Sequence, residues 1–292
     1  MCCTLRPADL SKTVLYAGEA ERERNLVHVL GYQNRARNRF NGPNAMILPF
    51  PAAKSMGPRN CLETTGLKWM MNDLAATVHI ERLMRSASRD AFGSLKLGSA
   101  KAVTVFDSGE YTVVLAEDAR DVPHALNRVP EEKRPEINEE IFDAYAKWYP
   151  DWPIAMCCWA SRREMEPEPL LWWFEPKQQD VLWAPALDSH NGKAPNLSEH
   201  VRVDHAVLFG STLTSRGAPV RFRREVPQHI MPFVSERVVG EEFQSVLTNG
   251  DFAIPTARLT SLSESDTGAR VKINRVLPPG ASRAGSSTLD LA

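Results

Sequence analysis

Ala144-Tyr145-Ala146-Lys147-Trp148-Tyr149-Pro150-Asp151-Trp152-Pro153 runs into Ile154-Ala155-Met156-Cys157-Cys158-Trp159-Ala160. After a charged turn the chain returns as Leu170-Leu171-Trp172-Trp173-Phe174 and Val181-Leu182-Trp183. Six of the seven tryptophans fall in this stretch. A buried aromatic removes on the order of 150–250 Å² from water, so Ala144 to Pro185 is expected to form the centre of the core. A stacking platform for bases or sugars would need exposed rings interleaved with Lys or Arg, and the neighbours here are mostly apolar or acidic.

Just upstream, Pro135 to Tyr145 places Pro at a helix start, acids in the first turn, and Ile137, Ile141, Phe142 and Tyr145 on one face. That spacing predicts an amphipathic helix matched to its dipole. Pro150 and Pro153 end it, since Pro lacks a backbone donor and restricts the residue before it. Ile154 to Ala160 reads as a strand buried on both faces, and Leu170 to Phe174 as a second. The connector between them is too short for a helical crossover, which predicts an antiparallel pair.

Outward from this centre, strands are expected at Thr13–Ala17, Leu26–Gln33 and Asn44–Pro51, the first two separated by a charged turn over Glu19–Asn25. Asn34 to Pro43 reads as a loop carrying Arg35, Arg37 and Arg39, a solvated hairpin loop before it is a phosphate-binding one. Gly66 to Met84 is expected to form a helix with Leu67, Met70, Met71, Leu74, Val78 and Leu83 on its apolar face. Ala102–Phe106 and Tyr111–Ala116 flank Asp107-Ser108-Gly109-Glu110, a hairpin signal. Downstream, strands are expected over Val201–Gly210, Pro219–Arg223, Ser235–Val239 and Ala253–Leu259, with an edge strand at Val271–Leu277. Asn191-Gly192 and Asn249-Gly250 read as ordinary turns.

Strand-rich portions flanking helices do not alternate as βαβ units. The expected fold is therefore α+β: mainly antiparallel sheets, sandwich-like, with two or three helices at one side. Residues 1–260 are expected to form one domain and 261–292 a polar, flexible tail. At 43% hydrophobic and 24% charged, the 292 residues have a globular composition. A net charge of −1 gives no global field that would recruit nucleic acid or anionic membrane. No apolar run is long enough for a transmembrane helix. Five cysteines without a secretion signal at the start point to a reducing compartment, and cytoplasm is the expected location.

The chain carries no Walker A loop, Rossmann glycine fingerprint, G-x-S-x-G or H-E-x-x-H. Its cysteines form vicinal pairs, Cys2-Cys3 and Cys157-Cys158, rather than the C-x₂₋₄-C spacing of zinc sites. Adjacent strand residues face opposite ways, so Cys157 and Cys158 read as core residues. Neither a metal nor a cofactor is expected.

Two groups of residues could carry chemistry. Cys2, exposed as the terminal residue if Met1 is removed, would hold a thiol beside an α-amino group able to act as its base. Asp188, His190, Asp204 and His205 place two carboxylates and two imidazoles within 18 positions, able to orient a nucleophile. The opening Met1-Cys2 followed by strands resembles cysteine-type N-terminal nucleophile amidases, such as bile-salt and penicillin V hydrolases. Where those enzymes carry an Arg and an Asp, this chain reads Leu30-Gly31-Tyr32-Gln33-Asn34.

Two functions follow. One is a β-rich binding or assembly protein, oligomeric or with a protein partner, for which nucleic acid is an unlikely ligand. The alternative is an amidase or hydrolase using Cys2, with Asp188, His190, Asp204 and His205 as its catalytic helpers.

Overall fold

Many strands of this chain are buried on both faces, and the computed structural model describes them over residues 3–81, 103–160, 163–262 and 271–282 (for 79–81, the backbone alone), with Leu83 of the expected helix outside them. The first half comprises β1 (Cys3–Thr4), β2 (Ala8–Arg22), β3 (Asn25–Asn38), β4 (Asn44–Pro49), α1 (Lys68–Glu81), β5 (Val103–Ser108) and β6 (Tyr111–Ala116). Next come α2 (Glu139–Trp148), β7 (Ile154–Trp159), β8 (Leu170–Phe174) and β9 (Val181–Ala184). The remainder is β10 (His200–Val203), β11 (His205–Ser211), β12 (Ala218–Pro219), β13 (Arg237–Glu242), β14 (Ser245–Thr248), β15 (Asp251–Pro255), α3 (Ala257–Thr260) and β16 (Asn274–Val276). The described protein is mostly β and dominated by antiparallel pairing. No helix among the described residues is long and apolar enough to cross a membrane.

A six-stranded sheet runs β12-β13-β11-β2-β3-β8 and a five-stranded sheet β1-β4-β7-β6-β5, with smaller sheets β16-β15-β9 and β10-β14. One pairing is parallel, β11 against β2. The central apolar cluster draws Leu15, Tyr32 and Phe209 from the six-stranded sheet and Leu48, Val113 and Cys157 from the five-stranded one. Alternate residues then face the helices. α1 packs Met70, Met71 and Leu74 against Tyr16, Val29 and Leu208. α2 packs Ile141, Phe142 and Tyr145 against Ile47, Val114 and Cys158. The helices are therefore divided between the two large sheets rather than gathered at one side, because each sheet has a second apolar face to cover.

The tryptophan segment is core, as expected, with Trp159 and Trp172 essentially inaccessible. Cys157 and Cys158 do face opposite clusters. The pairing of β7 with β8 does not occur. β7 lies between β4 and β6, while β8 pairs with β3 in the other sheet. The connector holds Pro167 and Pro169, which favour extended backbone, and an extended chain of that length can cross between sheets as readily as it can fold back.

Other boundaries shift for similar reasons. β2 and β3 continue up to a two-residue turn at Glu23 and Arg24, both at positive φ (53° and 65°), so the charged residues Glu19 to Arg22 are strand rather than turn. β3 also absorbs Arg35 and Arg37 from the expected loop. Arg35 pairs with Glu166 at 2.8 Å and Arg39 with Asp9. α2 begins at Asn138, whose side chain accepts from the Glu140 N–H, rather than at Pro135. The strand expected at Pro219–Arg223 shrinks to Ala218–Pro219, and Ala253–Leu259 divides into β15 and α3.

Residues 271–282 are folded against the domain, and the edge strand expected at Val271–Leu277 forms as β16. β16 pairs with β15, Val271 enters the central cluster, and Gly280 N donates to Trp148 O at 2.8 Å. The apolar residues here are few, but Val271 and Val276 are both buried.

The indole N–H groups of Trp159 and Trp172 have no hydrogen-bond partner, so these rings stabilise the fold through apolar area and their contacts with Tyr111, Phe50 and Phe106. Trp172→Ala should cost about 3–5 kcal/mol, the range for truncating a buried aromatic. A urea titration showing a loss below about 1 kcal/mol would contradict its place in the core.

Candidate functional site

The loop after β9 is held by two residues that read in the sequence only as part of a turn. Asn249 Oδ1 accepts from the Asp188 N–H at 2.9 Å, and its Nδ2 donates to Asp188 O at 2.8 Å. Asp251, fully buried, accepts from Tyr149 Oη at 2.7 Å, Trp183 Nε1 at 2.9 Å and Ala186 N at 2.7 Å. Polar residues immediately before the apolar run Phe252-Ala253-Ile254 were the only sign of this role in the sequence. From the other side Thr4 N donates to Ser189 O at 2.9 Å, and Cys3 bridges Ser189 as a parallel neighbour. The loop is thus clamped between the N-terminal strand and the start of β15.

This clamp brings Asp188, His190, Asp204 and His205 around one cavity of about 410 Å³, with Leu10, Glu199 and Arg202 among the other lining residues. His190 Nε2 lies 3.2 Å from Asp188 Oδ1, but not in hydrogen-bonding orientation, and it is a buried nitrogen without a hydrogen-bond partner. His205 Nδ1 lies 3.1 Å from both the Asp204 carboxylate and the Asp204 N–H. A ring nitrogen serves one of these at a time. Burial pushes the Asp204 carboxyl up, yet donation from His205 helps hold it below the usual value.

Burial dominates the rest of the electrostatics. It pushes His205 down to about 3 and His190 to about 4, so both rings are neutral near pH 7. It raises Asp188 to about 6. A neutral imidazole beside a carboxylate can accept a proton from a nucleophile or orient one. Among the described residues no cysteine lines this cavity. Cys2 lies outside the described residues. Cys3 is buried with its Sγ 3.9 Å from Lys193 O. Burial pushes Cys61 to about 11 and Cys158 to about 12, far from the thiolate form. Among the described residues no cluster of three or more His, Cys, Asp or Glu is arranged to hold a metal.

A second concavity, of about 990 Å³, lies at the β12 end of the six-stranded sheet. Its walls include Leu213, Arg221, Phe222, Met231, Glu236 and Arg237. Leu213 is 51% exposed and Met231 45% exposed; the only other exposed large hydrophobic among the described residues is Val246. Arg237 is fixed by donation from Nη1 to Gly217 O at 2.6 Å. Arg221 makes no ion pair with a described residue.

The histidines give the cavity a pH signature. An unfolded imidazole titrates near ~6.5, so the stability contributed by neutral His190 and His205 is full above that pH and lost as pH falls through about 4 and 3. Asp188 opposes this, its contribution being present at low pH and lost as pH rises through about 6. His205→Asn should therefore flatten the loss of stability between about pH 6.5 and pH 4. Urea midpoints across that range that run parallel for variant and wild type would refute the assignment.

No family model matches the sequence, and no curated protein matches it. Among solved structures, the crystal structure of baculovirus P35 aligns with a TM-score of 0.46 and 12% sequence identity, over 88% of this chain and 92% of that chain.

Proposed function

We propose that this chain is a β-rich binding or assembly protein, its two large sheets forming a sandwich, and that its contact surface is the groove at the β12 end. The observation that carries this reading is the placement of Leu213 and Met231 in one groove, since exposed apolar side chains that cluster mark interaction sites far more than scattered ones do. The occupant is an extended, acidic–apolar segment of a protein partner. Arg221 and Arg237 outnumber Glu236 among the groove's charged residues. Hydroxyls at Thr212, Thr214 and Ser215 suit hydrogen bonding to an extended backbone.

Selection from a displayed random-peptide library tests it. Peptides combining a bulky apolar residue with Asp or Glu should be enriched, and their binding should fall at least about tenfold for Leu213→Asp and Met231→Asp. Equal enrichment on the double variant would end the proposal. Light scattering on the same proteins identifies the source of the segment: an oligomer that dissociates on either substitution would make the partner a second copy.

A cysteine N-terminal-nucleophile hydrolase is a second reading, and the Cys3–Ser189 bridge supports it. Cys3, which follows Cys2 in the sequence, bridges Ser189 in the loop that carries Asp188 and His190. Under this reading intact mass shows Met1 removed, and a thiol-directed electrophile labels Cys2 faster than Cys61, Cys157 or Cys158. Retention of Met1, or a Cys2 no more reactive than free cysteine, rejects it.

A further inference from the structure

β11 continues the line of β10, and β13 runs on into β14, without a change of register. Ala206 faces Glu242, Val203 faces Ser245 and His200 faces Thr248, so the two lines of strand form one ribbon. Support for this ribbon from β2 ends early. The parallel pairing stops at His205↔Thr13, where β2 bulges and its register with β3 passes from Ser11↔Arg35 to Val14↔Gln33. A cavity of about 530 Å³ beside the bulge has Lys12, Val14, Ala75, Arg202, Asp204 and Glu242 among its lining residues. Beyond it the ribbon is the two-stranded sheet of β10 and β14.

Hydrogen bonding along the ribbon fixes which backbone groups turn outward. His205 and Phe243 exchange both of their N–H···O bonds, and Asn249 N donates to Glu199 O. In an antiparallel ladder such pairs alternate with pairs whose N–H and C=O groups point away from each other. Arg202↔Val246 is of this second kind, and the alternation gives Gln244 the same orientation as Val246. Both residues therefore present N–H and C=O groups along the outer edge of the ribbon. At one end of that edge Val238 pairs with Ala218 of β12, and at the other Thr248 O accepts from Arg275 Nε at 2.9 Å. No described strand pairs with the edge between them. Gln244, Ser245 and Val246 are all exposed, Val246 at 62%. Edge strands are ordinarily defended by a charge, a proline or a bulge. Gln244-Ser245-Val246-Leu247-Thr248 has none of these.

We propose that this edge pairs antiparallel with the same edge of a second copy of the chain, about a twofold axis at Ser245. In that register Gln244 and Val246 of one copy exchange backbone hydrogen bonds with Val246 and Gln244 of the other. The outward groups of the exposed run are all satisfied, and the engaged Thr248 carbonyl is not needed. Glu242 falls opposite Thr248, so no like charges meet across the axis, which lets the strand accept its own copy. The contact is smaller than a standard interface, so the dimer is reversible, with a Kd on the order of 100 µM. The edge shares no residue with the groove at the β12 end, and the proposal stands apart from that reading.

Sedimentation equilibrium on the full chain from about 5 to 500 µM tests this. The average mass of wild type should rise from monomer toward dimer. Ser245→Lys sets two ammonium groups opposite each other and should hold the chain at monomer mass. Val246→Pro removes an outward N–H that the monomer leaves unused, and should weaken the dimer at least about tenfold. Both positions are exposed, so the melting temperatures of these variants in dilute solution should match wild type. Ser245→Cys reads the register: directly opposed residues of this kind have Cα atoms about 4.5 Å apart, within reach of a disulfide. It should give a covalent dimer under mild oxidation far faster than Glu225→Cys, at another exposed position. Wild type that stays monomeric at the highest concentration would overturn the proposal. So would a dimer that survives both Ser245→Lys and Val246→Pro, equal cross-linking of the two cysteine variants, or a dimer lost on Leu213→Asp, which would place the contact in the groove.

Discussion

The buried carboxylate of Asp251 ties together parts of the chain more than a hundred residues apart. It accepts from the tyrosine that caps the end of α2, from an indole on β9 and from the backbone of the loop that follows. Burial raises its pKa, while these three donors and the nearby Arg275 guanidinium counter that effect. Arg275 is itself held over the Phe252 ring and donates to Thr248 O. An acceptor surrounded by donors tolerates burial only when every partner is in place. Helix α2, the three-stranded sheet and the histidine loop are therefore fixed relative to one another by a single side chain, and β16 is drawn in through Arg275.

The same economy governs the sheets. A strand buried on both faces, such as β7, supplies two clusters at once. Met156 and Cys158 meet α2 and its neighbours, while Ala155 and Cys157 meet the central cluster. Adding volume on either face would disturb packing on the other, because interiors at crystal-like density transmit strain.

The three concavities differ in physical character. The histidine cavity is lined by two imidazoles that burial keeps neutral, and its loop is clamped from both sides. The groove at the β12 end exposes apolar side chains beside cations. The bulge cavity places two cations, Lys12 and Arg202, and two carboxylates, Asp204 and Glu242, beside an apolar wall. Asp204 and Arg202 stand on the boundary of the first and third, so occupancy of one would alter the field in the other.

Local sequence was enough to place the tryptophan segment in the core, to find α1, α2 and the β5–β6 hairpin, and to orient Cys157 and Cys158 to opposite faces. Those features depend on periodicity, capping and turn chemistry, which act over a few residues. The grouping of Asp188, His190, Asp204 and His205 was legible for a similar reason, since a short loop joins them. Tertiary structure alone decided that β7 and β8 belong to different sheets, that β11 runs parallel to β2, and that 278–282 is docked. It also decided that Asn249 and Asp251 clamp the histidine loop, and that Leu213 and Met231 share a groove. A strand's pattern records how many of its faces are buried but not which strand lies beside it. A buried polar side chain is recognised only by the distant donors that satisfy it.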